Sequence, residues 1–151
     1  MTTDFHFLHG TWNVVNRRPV KLLVDCDEWE EFPATLECRS LLDGAANVDE
    51  MTFPTKGFKG LTLRLYDPER REWTIYWVNS RTGLLQAPVV GGFAGGECEL
   101  FGDDVHEGVP VRARYKWSRI TPTSARWEQA YSVDGEQTWE TNWIMDCTRT
   151  G

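Results

Sequence analysis

Val109–Ser118, VPVRARYKWS, is the stretch that decides the fold. Val111, Ala113, Tyr115 and Trp117 alternate with Arg112, Arg114 and Lys116. A period of two is that of an extended chain, whose successive side chains point to opposite faces. Alternation this clean marks an antiparallel strand with one dry and one wet face. The same pattern recurs on both sides. EWTIYWVN (72–79) sets Trp73, Ile75 and Trp77 against Thr74, Tyr76 and Val78. GLTLRLYD (60–67) sets Leu61, Leu63 and Leu65 against Thr62, Arg64 and Tyr66. ARWEQAYS (125–132) sets Trp127, Gln129 and Tyr131 against Arg126, Glu128 and Ala130. TWETNWIMDCT (138–148) sets Trp139, Thr141, Trp143, Met145 and Cys147 against Glu140, Asn142, Ile144 and Asp146.

Turn signals punctuate these runs: LLDGAAN (41–47), YDPERREW (66–73), FGDDVHEGVP (101–110), ITPTSA (120–125) and SVDGEQTW (132–139). Asp134-Gly135 between Tyr131 and Trp139 predicts a tight hairpin. No long amphipathic helix is evident, and only TDFHFLHG (3–10) reads as a short helical turn, with Thr3 or Asp4 available as a cap. A meander of roughly eight to ten strands leaves two edges exposed unless it closes on itself. The expectation is therefore all-β: a single antiparallel up-and-down barrel spanning residues 1–151 as one domain.

Composition narrows the partners. The 151 residues carry a formal net charge of −7, which excludes the basic footprint that nucleic acid or an anionic membrane surface demands. No run approaches the roughly 20 apolar residues of a membrane span. The start of the chain has no basic segment leading into an apolar one, so a cytoplasmic protein is expected. Cys26, Cys38, Cys98 and Cys147 are widely spaced and read as buried thiols. Eight tryptophans in one small domain is the unusual feature. Some must fill the core, and others suit the wall of a pocket.

Gly10-Thr11-Trp12 enters the first strand directly after the helical turn. With the meander that follows, it resembles the calycins, the group of lipocalins and fatty-acid-binding proteins. More narrowly, FLHGTWNVVNRR (7–18), LLDGAANVDE (41–50), LRLYDPERREWTIYW (63–77), ARYKWSRITPTSARWEQAYSVDG (113–135) and TWETNWIM (138–145) resemble small bacterial lipocalin-like domains of unassigned function. The resemblance implies that Trp12 lies across the closed end of the barrel and that Arg149, late in the last strand, packs on its indole as a structural closure. It implies no reaction. An obvious C-terminal helix and a signal peptide, features of extracellular lipocalins, are not evident.

If the barrel is not filled by its own side chains, it holds one small ligand. The tryptophan-bearing faces are the inward candidates, because the opposite faces carry Arg112, Arg114, Lys116, Arg126, Glu128 and Glu140. The same parity sets Arg64 outward. Polar groups that share the inward faces are Asn79, Tyr115, Gln129 and Thr141, with Asn47 and Asp49 on NVDEMTFP (47–54). The expected site is an apolar or aromatic ligand stacked on Trp77, Trp127 and Trp143 and oriented by Asn79, Tyr115 and Gln129. The alternative is a cofactor-independent isomerase, cyclase or lyase. Its acid or base would be Asp49, or Glu50 if a bulge slips the register by one residue.

Metal and haem are weaker readings. His6 and His9 can meet on one face of the helical turn but lack a third ligand, so no metal site is expected. His106, in a turn with Asp103, Asp104 and Glu107, is the one histidine outside the N-terminal turn that could serve a haem-binding barrel. APVVGGFAGGECELFG (87–102) is no phosphate loop, since no Gly-Lys-Ser/Thr follows. Its glycines read as turns, bulges or a flap at the barrel mouth. A homodimer acting through its outer surface is the remaining partner expectation.

Overall fold

The computed structural model describes residues 2–151. Ten antiparallel strands follow in chain order: β1 (Gly10–Pro19), β2 (Trp29–Leu41), β3 (Ala46–Phe53), β4 (Phe58–Asp67), β5 (Glu72–Asn79), β6 (Val89–Ala94), β7 (Glu97–His106), β8 (Val109–Ser118), β9 (Ser124–Ser132) and β10 (Glu140–Arg149). Each pairs with its neighbours in sequence, and β1 pairs with β10, so the sheet closes as an up-and-down barrel. Closure removes both edges. The helical pieces among the described residues are two 3-10 turns, His6–Leu8 and Leu42–Gly44. No helix among them is long and apolar enough to cross a membrane.

One end is plugged. The His6–Leu8 turn carries Phe5 and Leu8 into the barrel, where both are buried. Phe5 meets Trp73 edge-on at 4.8 Å and Phe93 at 5.0 Å. Phe7 meets Trp117 at 5.5 Å. Trp12 Nε1 donates to the Leu8 carbonyl at 2.9 Å, which ties the plug to β1. Trp12 and Arg149 are cross-strand partners, and the guanidinium lies 4.3 Å over the indole. Arg149 also donates to the carbonyls of Phe7, His9 and Pro122. The N-terminal turn, β1 and the β8–β9 connection are thus pinned to one side chain.

Inward and outward sets follow the expected alternation on β5, β8 and β9. The basic stripe of β8 lies outside: Arg112 reaches Asp103 and Glu136, and Lys116 reaches Glu97. Strand β4 is inverted relative to expectation. Arg64 is only 4% exposed and points inward, while Leu61 is 39% exposed on the outer face. The physical reason is charge. Inward Asp49 of β3 needs a cation, and the β3–β4 register places Arg64 opposite Asn47, one step along the same face. A buried ion left without its partner costs more than three half-wet leucines.

Strand β10 departs from simple alternation at a bulge between Thr141 and Trp143. Thr141 pairs with Ala130, the outward neighbour of Gln129, whereas Trp143 pairs with Gln129 itself. Thr141 and Trp139 are therefore outside, contrary to expectation, and Asn142 is the buried extra residue. Trp139 lies back against Phe101, with Arg114 4.9 Å over its ring. Gly95 and Gly96, both at positive φ, form the β6–β7 turn beside Phe93 at the plugged end, so they are not a flap at the mouth. All four cysteines are free. Three are buried and pushed up to about 12 by desolvation, but Cys26 is half-exposed in the β1–β2 loop.

Candidate functional site

Above the plug lies a cavity of about 80 Å³. Its walls are aromatic and apolar: Trp77 of β5, Tyr115 and Trp117 of β8, Trp127 of β9 and Trp143 of β10, with Met51 and Phe53 opposite. Toward the open end it leads to a mouth of about 490 Å³, which shares Trp77, Tyr115, Gln129 and Trp143 with the cavity below. The strands that carry these residues show why they converge. Each has its tryptophan-bearing face inward, and the closed barrel turns those faces onto one space.

The aromatic wall is held in fixed orientations. Trp127 meets Trp143 edge-on at 5.9 Å and Tyr115 at 5.1 Å. Trp143 Nε1 donates to Asn16 Oδ1 at 3.0 Å, and Asn16 Nδ2 donates to the Phe32 carbonyl at 3.1 Å. Gln129 Nε2 donates to Asn142 Oδ1 at 2.9 Å. Asn16 and Asn142 are fully buried, and neither stood out in the sequence as part of the site. Asn142 was hidden by the bulge. Asn16 shares parity with Trp12 and Val14 on β1, and an amide at an inward position was the available signal.

Five of the six expected binding residues, Trp77, Tyr115, Trp127, Gln129 and Trp143, line the cavity. Asn79 stands higher, at the mouth. Its Oδ1 accepts from the amides of Arg81 and Thr82 at 3.0 and 3.1 Å, so that oxygen is spent on the β5–β6 turn. Asp49 lines the cavity and is 2% exposed. Glu50 points outward and lies 4.0 Å from Lys59, which leaves Asp49 as the sole inward carboxylate of the two. Burial pushes the Asp49 carboxyl above the usual range, with Arg64 and Thr62 pulling the other way. Tyr115 is likewise pushed up by burial and stays a neutral hydroxyl.

The mouth is rimmed by cations set over rings. Arg18 lies 4.2 Å over Trp143, Lys56 4.7 Å over Phe32 and Arg81 4.4 Å over Phe58. Lys56 is paired with Glu30 at 2.8 Å, whereas Arg18 makes no ion pair among the described residues. The histidines stand elsewhere. His6 and His9 are 5.2 Å apart in the plug. Burial, then the neighbouring His6, holds His9 below its ordinary value. His106 faces Tyr131 at 6.1 Å and lines neither cavity nor mouth, so it offers no axial ligand to a group held there.

Ten antiparallel strands closed in chain order, a plugged end with Trp12 under Arg149, and an aromatic chamber define a lipocalin-like barrel of the calycin type. Among solved structures the chain is similar to the S-type phycobiliprotein lyase from Guillardia theta, with a TM-score of 0.59 and 11% sequence identity, over 97% of this chain and 90% of that one. At that identity the likeness concerns the fold. No family model matches the chain, and no curated protein matches it.

Proposed function

We propose that the barrel takes up a small, largely apolar or aromatic molecule. The observation that carries this reading is the convergence of Trp77, Tyr115, Trp127, Gln129 and Trp143 on one chamber that opens to a wider mouth. Aromatic walls supply contact area, and a few fixed polar groups orient what enters. Trp143, locked by Asn16, is a pre-set stacking surface that loses little freedom on binding. The free thiols support a reducing, cytoplasmic setting. The test is native mass spectrometry of the purified protein beside the same sample denatured. A small molecule retained natively and lost on denaturation is expected. Unchanged binding of that molecule after Trp127→Ala and Gln129→Ala together would remove the site assignment.

A lyase reading draws on the likeness to the phycobiliprotein lyase and on Asp49, the inward carboxylate with a raised pKa. In that reading Asp49 moves the proton, and Arg64 sets how readily it does so. Turnover that survives Asp49→Asn would eliminate it as the acid or base.

A further inference from the structure

Two charged side chains are buried together in the chamber wall and remain unsaturated. Arg64 Nη1 approaches Asp49 Oδ2 at 2.6 Å, with 4% and 2% of the side chains exposed. The same Nη1 donates to Asn47 Oδ1 at 3.0 Å. The 2.6 Å approach is an ion contact that lies off hydrogen-bond geometry. Asp49 Oδ2 is thus met by the Arg64 charge but by no aligned N–H, and Arg64 Nε, a separate donor, has no partner. A buried polar atom with spare hydrogen-bonding capacity is costly to leave unmet, and a ligand group that meets it recovers that cost.

The two orphans are of opposite type, one N–H donor and one carboxylate acceptor. Their net charge cancels. A ligand carboxylate brought to Arg64 would also meet the Asp49 carboxylate and would place an unbalanced anion in an apolar chamber. A ligand ammonium would meet the Arg64 guanidinium in the same way. A neutral group that carries a carbonyl beside an N–H satisfies both orphans and adds no charge.

We propose that the Asp49–Arg64 pair anchors a neutral amide-type head group, a carboxamide, lactam or cyclic imide, at the inner end of the ligand. The ligand carbonyl accepts from Arg64 Nε, and its N–H donates to Asp49 Oδ2. The apolar or aromatic body then runs past Trp127 and Trp143 toward the mouth. This inference rests on the reading that the chamber takes up a small molecule.

The experiment titrates the full chain with benzamide, benzoate and toluene at neutral pH and follows the indole N–H resonances of the tryptophans by NMR. Benzamide is expected to bind at least tenfold tighter than either of the others. Asp49→Asn leaves Arg64 as an uncompensated cation, so in that variant the preference swings to benzoate by at least tenfold. Should Asp49→Asn not fold, the ranking in the native protein decides alone. Toluene as tight as benzamide, or benzoate preferred by the native protein, overturns the anchor while the chamber reading stands. Indole resonances unmoved by all three, toluene included, overturn both.

Discussion

At the closed end of the barrel the side chains that hold the plug are bonded within the chain. Trp12 donates to Leu8, Arg149 covers Trp12 and donates to Phe7, His9 and Pro122, and Asp4 receives the Trp73 indole at 3.1 Å. At the open end the groups are half-satisfied. Arg18 stacks on Trp143 but has a buried Nε without a partner, and Asn142 Nδ2 below it is also free. The difference teaches how one sheet can serve two ends. A plug must be over-determined to hold the barrel shut, whereas a binding end needs surplus hydrogen-bonding capacity that a ligand can complete.

The largest effect should come from breaking the plug. Trp12→Ala removes a fully buried indole and its bond to Leu8. A loss of about 3–5 kcal/mol is expected, read as the shift in urea midpoint at unchanged slope. A loss under about 1 kcal/mol would show that the plug is not what holds the barrel closed.

The second test sits midway between the two ends. Arg64→Met strands Asp49 in the chamber wall, and a loss of about 3 kcal/mol at neutral pH is expected. Its pH dependence has a definite sign. Burial raises the folded-state pKa of Asp49, so the group favours the fold while protonated and ceases to do so as pH rises through that raised value. Without Arg64 the rise is greater. The stability deficit of Arg64→Met should therefore be small in acid and grow toward pH 8. The double variant Asp49→Leu with Arg64→Met should recover most of the loss. A deficit that grows as pH falls would reverse this account.

How much of this was legible in the sequence varies strand by strand. β8 shows its faces openly, because Arg112, Arg114 and Lys116 cannot all be buried. β4 does not. Alternation divides Leu61, Leu63 and Leu65 from Thr62, Arg64 and Tyr66, yet it does not say which set faces in. Hydrophobicity alone turns the leucines inward. What decides the matter is a long-range charge, Asp49 on the next strand, and that pairing exists only once the register does. In β10 a single bulge exchanged Thr141 for Asn142 and turned Trp139 out, while Trp143, Met145 and Cys147 stayed in. Trp143, past the bulge, was therefore readable, and Trp139, before it, was not.

A smaller effect is expected from the support of the aromatic wall. Asn16→Ala removes the acceptor of Trp143 Nε1 and the donor to the Phe32 carbonyl, both buried. About 1–3 kcal/mol should be lost. The Trp143 indole resonance should broaden as the ring gains freedom, and ligand affinity should fall by more than the loss of stability implies. Sharp, unshifted Trp143 signals in Asn16→Ala would mean that packing alone orients the ring.

The smallest effect lies in the β9–β10 connection beside the mouth. The Asp134 carboxylate accepts from the Thr138 hydroxyl and amide, the Ser132 hydroxyl and the Gln137 amide. These bonds, that from the Thr138 hydroxyl first, hold its pKa down to about 2 from the ordinary 3.8. A depressed carboxylate stabilises the fold above its ordinary value and ceases to do so as pH falls through the lowered one. Native and Asp134→Ala proteins should therefore differ in melting temperature at pH 5 and above, and the difference should close as pH falls from about 4 toward 2. The connection carries Trp139 and leads into Glu140, whose carboxylate accepts from the Leu23 and Asp25 amides at 2.6 and 2.9 Å. Loosening it should speed hydrogen exchange at those two amides of the β1–β2 loop and leave the amides of β1 at the plug unchanged. Faster exchange at the plug as well would show that the two ends are mechanically one unit, not the separate structures that their hydrogen bonding describes.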